Sequence, residues 1–458
     1  MWREKKVPED FGRGIIVPIL KKGDRKDCKN YRGITLIPHT AKILERILDN
    51  RIRKMVEENL VEEQYGFRRG RSTFDPIFTI RQMMEKRWEH EKEMVITFLD
   101  LEKAYDSVPR QLVWEVVKER EISGGLIQMI KALYEQCSSC VKTKLGMTEW
   151  FSIETGLRQG SVLSPILFII VMDEIQRRVR EKLGSIMMKT MLFADDIVIW
   201  GDNEKEVQEQ VSAWNQGIED FGMKVNVAKS KTIIMKRGNR DGRGLVKIHD
   251  EPMEVVESFK YLGSIITQEG KIDKEIDERI RQAGVFYQSV RDIVWSKEVP
   301  IKCKETLYKS YYEPILTYAA GTWTMTERDK SRIQAAEMKF CRSLLGKTKM
   351  DRIRNEGIRN EIRVVDVQSK IETSRLRWFG HMMRMEEERI PKRAFKEKLI
   401  EKRPRGRPRK RWKDAVMENI KNRGVNANEI VREEWWRDRE KWRSLTHYPT
   451  QRESGSGK

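Results

Sequence analysis

The stretch Met191-Leu192-Phe193-Ala194-Asp195-Asp196-Ile197-Val198-Ile199-Trp200 is two apolar runs split by a pair of carboxylates. Short apolar runs around a polar break predict a tight hairpin with Asp195 and Asp196 at its tip. Roughly a hundred residues upstream, Met94 to Leu99 is another apolar strand run, and it ends at Asp100. Desolvating a carboxylate is costly, so apolar strands ending in bare carboxylates need a reason. Three such groups at neighbouring strand ends repel one another unless a cation sits among them. Oxygen ligands with no His nearby suit Mg²⁺ rather than zinc. Two such ions about 3.5–4 Å apart can activate a 3′-hydroxyl and stabilise a leaving pyrophosphate, as in polymerases and nucleases. The bland alternative is that Asp100 caps the next turn and Asp195-Asp196 is an ordinary polar turn.

Outward from these strands the chain reads as α+β to about residue 265 and mainly α beyond it. Gly14–Leu20 and Ile34–Ile37 are apolar, β-branched runs flanking a polar loop that contains Lys21 and Lys22, which predicts a hairpin. Pro18 inside the first run marks it as an edge strand. Ile43, Leu44, Ile47, Leu48, Ile52, Met55 and Val56 recur at three- and four-residue spacing and predict a helix. Pro165 opens a helix running to about Leu183, and Val207, Val211, Trp214, Ile218 and Phe221 stripe another. Short strands are expected through Leu245–Ile248 and Phe259–Ile266, around the turn Gly238–Gly244. From Ile272 the pattern turns helical.

The 458 residues carry 91 Lys+Arg against 71 Asp+Glu, a formal net charge of +20. That excess makes nucleic acid the default partner, though a chaperone or a membrane-surface protein would also fit. The longest apolar run, Ile166–Met172, is far short of the ~20 residues a membrane span needs, and the N-terminus does not read as a signal peptide. Five scattered Cys fit a reducing, intracellular compartment. Cys137-Ser138-Ser139-Cys140 has no second pair and is not expected to hold a metal. Residues 392–413 hold 12 Lys/Arg against Glu397 and Glu401, so +10 of the charge lies in 22 residues. Pro404, Gly406 and Pro408 exclude a helix there, which predicts an exposed basic linker. Deleting Lys392–Lys413 is expected to weaken nucleic-acid binding and leave the chemistry at the carboxylates intact.

Phe98-Leu99-Asp100-Leu101-Glu102-Lys103-Ala104-Tyr105-Asp106 resembles motif A of the reverse transcriptases of non-LTR (LINE-type) retrotransposons. Thr155-Gly156-Leu157-Arg158-Gln159-Gly160-Ser161-Val162-Leu163-Ser164-Pro165 resembles their motif B, and Phe193-Ala194-Asp195-Asp196 their motif C. Gly222–Ser230 is similar to motif D and Phe259–Gly263 to motif E. Asn30-Tyr31-Arg32-Gly33-Ile34-Thr35-Leu36 and Gln64-Tyr65-Gly66-Phe67-Arg68 resemble fingers segments, and all seven follow in the family's order.

The resemblance implies an α+β right-hand polymerase: partial fingers over 1–90, a palm with an antiparallel sheet over 91–267, a helical thumb over 268–350, and a basic, mainly helical nucleic-acid-binding region over 351–458. It implies an RNA-directed DNA polymerase taking an RNA template, a DNA primer or target and dNTPs, acting in the nucleus with two Mg²⁺ ions or Mn²⁺. Asp100, Asp195 and Asp196 would hold the metal, and Lys229 would be the general acid for pyrophosphate. Lys21, Lys22 and Arg32 would meet the triphosphate. Tyr105 would be a steric gate against the 2′-hydroxyl, or else ordinary packing. Gln159 and Gly160 would approach nucleotide and template. Phe67 and Arg68 would contact template or simply pack the fingers. Phe259, Lys260, Tyr261, Leu262 and Gly263 would grip the primer. Arg405, Gly406, Arg407 and Pro408 resemble an AT-hook core, in which Arg-Gly-Arg lies in a narrow minor groove; a localisation patch or a phosphate-binding linker reads equally well. An upstream endonuclease and the earliest fingers segment are missing, so nicking is expected from elsewhere and the copy would be truncated or partly decayed. The competing readings are a nucleic-acid-binding relic and an RNA-dependent RNA polymerase, where Asp106 would meet the ribose.

Overall fold

The computed structural model describes residues 1–21, 23–235, 246–399 and 409–447. Lys22, the Gly238–Gly244 turn and the Arg405–Pro408 block therefore lie outside the described residues. The chain divides into two units: residues 1–73, 95–232 and 241–255 form the first, and 74–94, 233–240 and 256–458 the second.

The first unit is built on a five-stranded sheet in the order Glu254–Val255, Lys231–Met235, Met94–Leu99, Asp196–Gly201, Thr190–Phe193. Met94–Leu99 is central and buried at all six residues, which is why its sequence is apolar without alternation. The hairpin Thr190–Phe193/Asp196–Gly201 forms as expected, with Phe193 opposite Asp196. On the other side Thr97 and Thr232 share a buried hydroxyl–hydroxyl hydrogen bond at 3.0 Å. The helix Ser164–Leu183 starts at the predicted proline and packs on Glu204–Asp220.

A second sheet holds the expected hairpin, Arg13–Leu20 against Tyr31–Leu36. Arg13–Leu20 is an edge only in part. Its first half, Arg13 to Ile16, also pairs in parallel with Ser138–Val141, and Pro18 falls just beyond, where no ladder needs its missing N–H. The helix His39–Val56 buries only part of the apolar stripe. Ala41, Glu45, Leu48, Asp49, Ile52 and Val56 are buried, whereas Ile43, Ile47 and Met55 are exposed, Ile43 at 62%. Two carboxylates face the interior because partners await them there: Asp49 is paired with Arg53 at 2.9 Å, and Glu45 is bonded to the Ser161–Val162 segment.

The second unit has two helical cores. One gathers Ile272 to Ile371, the other Phe78 with Leu376 to Leu445. The helix Val367–Met383 serves both, giving Val367 and Ile371 to the first and Leu376 and Phe379 to the second. The expected boundary at residue 350 thus falls inside a core that continues through Ile358 and Ile362. The helix Phe74–Glu89, expected with the fingers, belongs to this unit through Phe78, whose ring meets Trp378 and Trp412.

The basic segment is not a free linker at its described ends. Lys392 is buried, donating to the Met385 carbonyl and pairing with Glu387. Arg411 makes a bidentate pair with Glu89, and Lys410 pairs with Glu418. Trp412 is fully buried, with its indole N–H on the Gly321 carbonyl at 2.8 Å. Deleting Lys392–Lys413 would remove core as well as charge, so the expected clean separation fails. Trp436 and Trp442 are buried in the same cluster, so packing is their role. Among the described residues no helix is long and apolar enough to cross a membrane. All five cysteines are free thiols.

Candidate active site

Leu99 pairs with Ile197, so one step beyond it Asp100 leaves the sheet beside the start of the neighbouring strand, where Asp196 and Asp195 stand. The hairpin tip needs Ala194 at φ +58°, an uncommon conformation for a residue with a side chain. It is held there by a neighbour that hydrophobic pattern does not reveal. Gln64, fully buried, accepts from the Ala194 N–H at 3.2 Å and from the Gly66 N–H at 2.9 Å. Tyr65 N–H and Leu192 C=O add a backbone bond of 2.8 Å beside it. Gly66 lies so close that a Cβ would stand 2.3 Å from the Ala194 nitrogen. The Gln64–Gly66 segment is thus a splint for the carboxylate turn.

Lys229 sits with Nζ 3.1 Å from Asp100 Oδ2. Its turn is fastened to the same place: Asn226 N–H donates to the Asp100 carbonyl at 2.8 Å, and Asp100 N–H donates to Ser230 Oγ at 3.1 Å. Desolvation raises the Asp195 carboxyl above the usual carboxylate range, Asp100 adds to this, and Arg32 and Lys229 partly offset it. Asp196 is pushed up to about 7, by desolvation first and then by the charges of Asp195 and Asp100. Among the described residues no three His, Cys, Asp or Glu side chains already converge as a metal cage. The donor set nevertheless fits a hard divalent cation: oxygen only, mutually repelling, and short of positive charge.

A carboxyl raised in the folded state stabilises the fold below its unfolded value near ~4, and that contribution is lost as pH rises through its folded value. Asp196→Asn in chelator should therefore match wild type at pH 4 and gain on it up to about pH 7. Because Asp196 is exposed, screening limits the gain to roughly 1 kcal/mol, about 2–4 °C in melting temperature. A difference independent of pH between 4 and 8 would contradict the assignment.

Tyr105 stacks face to face on Phe168 at 4.5 Å and meets Phe67 edge-on at 6.4 Å. Its hydroxyl is buried without a hydrogen bond, and desolvation raises its pKa. Gln159 donates its amide to Asp106 Oδ1 at 2.8 Å. Gly160, at φ +85°, would place a Cβ 2.2 Å from the Thr35 carbonyl of the Tyr31–Leu36 strand, so only glycine fits. Behind this turn is a cavity of about 320 Å³, lined in part by Thr35, Asp106, Arg158 and Gln159. Arg32 and Lys21 are exposed.

Phe67 and Arg68 part company. Phe67 is 47% exposed, whereas the Arg68 guanidinium donates to the carbonyls of Val61 and Glu57 at 2.6 and 3.0 Å. Arg68 is a structural pin, the packing alternative of the two. The hairpin Ser258–Tyr261/Ser264–Thr267 belongs to the second unit. It turns through Leu262 and Gly263, both at positive φ. Tyr318 Oη donates to the Leu262 carbonyl at 2.8 Å and Arg279 to that of Gly263 at 2.7 Å. Tyr261 is buried, and Lys260 is exposed beside Glu278.

Residues 19–266 match the family model described as reverse transcriptase (RNA-dependent DNA polymerase). A probable RNA-directed DNA polymerase from transposon X-element of Drosophila melanogaster is 23% identical over 392 residues, 82% of this chain and 42% of that protein. An RNA-directed DNA polymerase from mobile element jockey of Drosophila funebris is 25% identical over 348 residues, 72% of this chain and 37% of its own length. The chain thus spans less than half the length of these relatives. Among solved structures, an apo telomerase from Candida tropicalis superposes with a TM-score of 0.45 at 13% identity, over 84% of this chain and 69% of that one.

Proposed function

Because the chain belongs to the reverse transcriptase (RNA-dependent DNA polymerase) family, we propose that it extends a DNA primer with dNTPs on an RNA template, as the polymerase of a non-LTR retrotransposon. The observation that carries this reading is the meeting of Asp100 with Asp195 and Asp196 at adjacent strand ends, with the hydroxyl of Tyr105 buried five residues further on. Two Mg²⁺ ions, or Mn²⁺, held by these three carboxylates would supply activation of the primer hydroxyl and neutralisation of the phosphate charge. Arg32, Lys21 and Lys22 would bind the triphosphate, Arg32 with the bidentate geometry that phosphate oxygens favour. Lys229, whose Nζ lies beside Asp100, would give a proton to pyrophosphate. Gln159 and Gly160 would border the nucleotide, Phe67 would stack on the template strand, and Phe259–Gly263 would steady the primer. The Arg405–Pro408 block would bind DNA as an AT-hook or phosphate-binding loop. The site of action would be nuclear. The bond from Gln159 to Asp106 favours DNA synthesis over RNA synthesis, because it occupies the acid that would otherwise meet a ribose 2′-hydroxyl.

Primer extension on an RNA template tests the reading: extension should require a divalent cation and stop with chelator. A folded, metal-supplied sample that never extends would overturn it. Sugar selection gives a sharper outcome. Tyr105→Phe should keep both stability and dNTP preference, because the ring remains and the lost hydroxyl had no partner. Tyr105→Ala should relax the dNTP/rNTP preference by about 10–200-fold, the range one steric contact supplies. Equal discrimination by both variants in single-nucleotide incorporation would rule out Tyr105 as the gate.

A further inference from the structure

Glu45 is 1% exposed on the inner face of the helix His39–Val56. A buried carboxylate persists only when paired and hydrogen-bonded, and the partners of Glu45 come from the segment that carries Gln159. Its Oε2 accepts from the Ser161 hydroxyl at 2.9 Å and from the Val162 N–H at 2.7 Å. Its Oε1 lies 3.6 Å from Nη1 of the buried Arg158. Both terminal nitrogens of Arg158 are buried without a hydrogen bond, so the Glu45 charge is what compensates that guanidinium.

These bonds close the base of one turn. Ser161 N–H donates to the Arg158 carbonyl at 3.2 Å, and Ser161 Oγ accepts from the N–H groups of Leu163 and Ser164 at 3.1 and 3.2 Å. Gln159 and Gly160 are the tip. On the near side Leu157 N–H donates to the Tyr105 carbonyl at 2.7 Å, so the turn is also tied to the residue proposed as sugar gate. No helix or strand ladder holds residues 158–161 themselves. Their geometry is set from beneath by a carboxylate on another element.

We propose that Glu45 is a positioning residue, which clamps the Arg158–Val162 turn and so fixes where Gln159 and Gly160 meet the incoming nucleotide. It rests on the polymerase reading above and touches no reacting atom. A merely core-satisfying Glu45 would affect stability and leave nucleotide affinity and sugar choice alone.

The full chain is compared as wild type, Glu45→Gln, and Glu45→Gln with Arg158→Met. Glutamine keeps the shape but turns an amide toward Arg158; the double variant also removes the uncompensated charge. Glu45→Gln should raise KM for dNTP about tenfold, the loss expected of one charge-assisted hydrogen bond, with kcat within about twofold and a lower dNTP/rNTP preference. Amide exchange over residues 157–164, measured without nucleotide, should quicken about tenfold while the strand Met94–Leu99 stays protected. The double variant should recover melting temperature without recovering KM or slow exchange. Unchanged exchange over 157–164 in both variants overturns the proposal, and so does unchanged KM and preference where wild type extends. If wild type itself never extends, the polymerase reading fails and exchange alone decides the clamp.

Discussion

Asp195→Asn is expected to cut primer extension by ~10³-fold or more and leave the protein folded. Asparagine has the shape of the carboxylate without its charge. In the native site Asp195 is already disfavoured as an anion, by desolvation first and by Asp100 next. Such a group does not favour folding at neutral pH, and its proposed role is to hold a cation. Removing one of three repelling charges should therefore hold or raise the melting temperature in chelator. It should also abolish the thermal stabilisation expected when Mg²⁺ is added to wild type, since a ligand stabilises only a state that binds it. Asp106→Asn is the matched control: its Oδ1 still accepts from Gln159, and extension should stay near wild type. Single-turnover extension and thermal melts on the same samples decide it. Asp195→Asn extending within tenfold of wild type would sink the assignment of this carboxylate.

The second large effect is on folding. Trp412→Ala should destabilise the second unit by about 3–5 kcal/mol, the usual result of emptying a buried aromatic site. The indole is fully buried, meets Phe78 at 4.7 Å and Phe395 at 5.8 Å, and satisfies the Gly321 carbonyl. Its backbone N–H donates to Glu85 Oε2 at 2.7 Å, and desolvation raises that carboxyl to about 7. Deleting Lys392–Lys413 removes this tryptophan together with Lys392 and Arg411, so the product should be insoluble or unfold non-cooperatively. Replacing Arg405 and Arg407 by Ser removes charge and leaves Lys392, Arg411 and Trp412 in the sequence. It should leave the melt unchanged and lower the salt slope of DNA binding by about 2. A soluble deletion with a wild-type melt would show that the segment is dispensable after all.

The strands were legible because their residues need no outside information. Met94–Leu99, apart from Thr97, and the runs Met191–Ala194 and Ile197–Trp200 are apolar, and runs this short, without alternation, fit a buried sheet. The site was legible for the opposite reason: Asp100 and Asp195-Asp196 stand out against that apolar background. What stayed hidden depends on partners distant in the chain. Glu45 and Asp49 face inward because Ser161, Val162 and Arg53 meet them there, whereas hydropathy marks only Leu48, Ile52 and Val56 of that buried face and adds the exposed Ile43, Ile47 and Met55. Gln64 reads as an ordinary polar residue until its amide oxygen is found bridging Gly66 and Ala194. Arg68 looks like a template contact, yet its guanidinium is spent on carbonyls within its own segment. The basic block at 392–413 was read by sign alone, whereas Glu89, Glu387 and Glu418 decide which of its charges remain uncompensated.

The central strand has a history as well as a position. Met94–Leu99 leaves the ribosome roughly a hundred residues ahead of the Ile197–Gly201 segment that pairs with it, and further still ahead of Thr232 on its other side. At about 5–20 residues per second, a six-residue strand apolar but for Thr97, with two open backbone edges, waits some 5–20 s for its neighbours. That is a strongly aggregation-prone window. Nascent chains arrested before Ile197 should accordingly be captured by chaperones or precipitate, and soluble yield should respond more to translation speed between residues 100 and 232 than to any substitution on the finished surface.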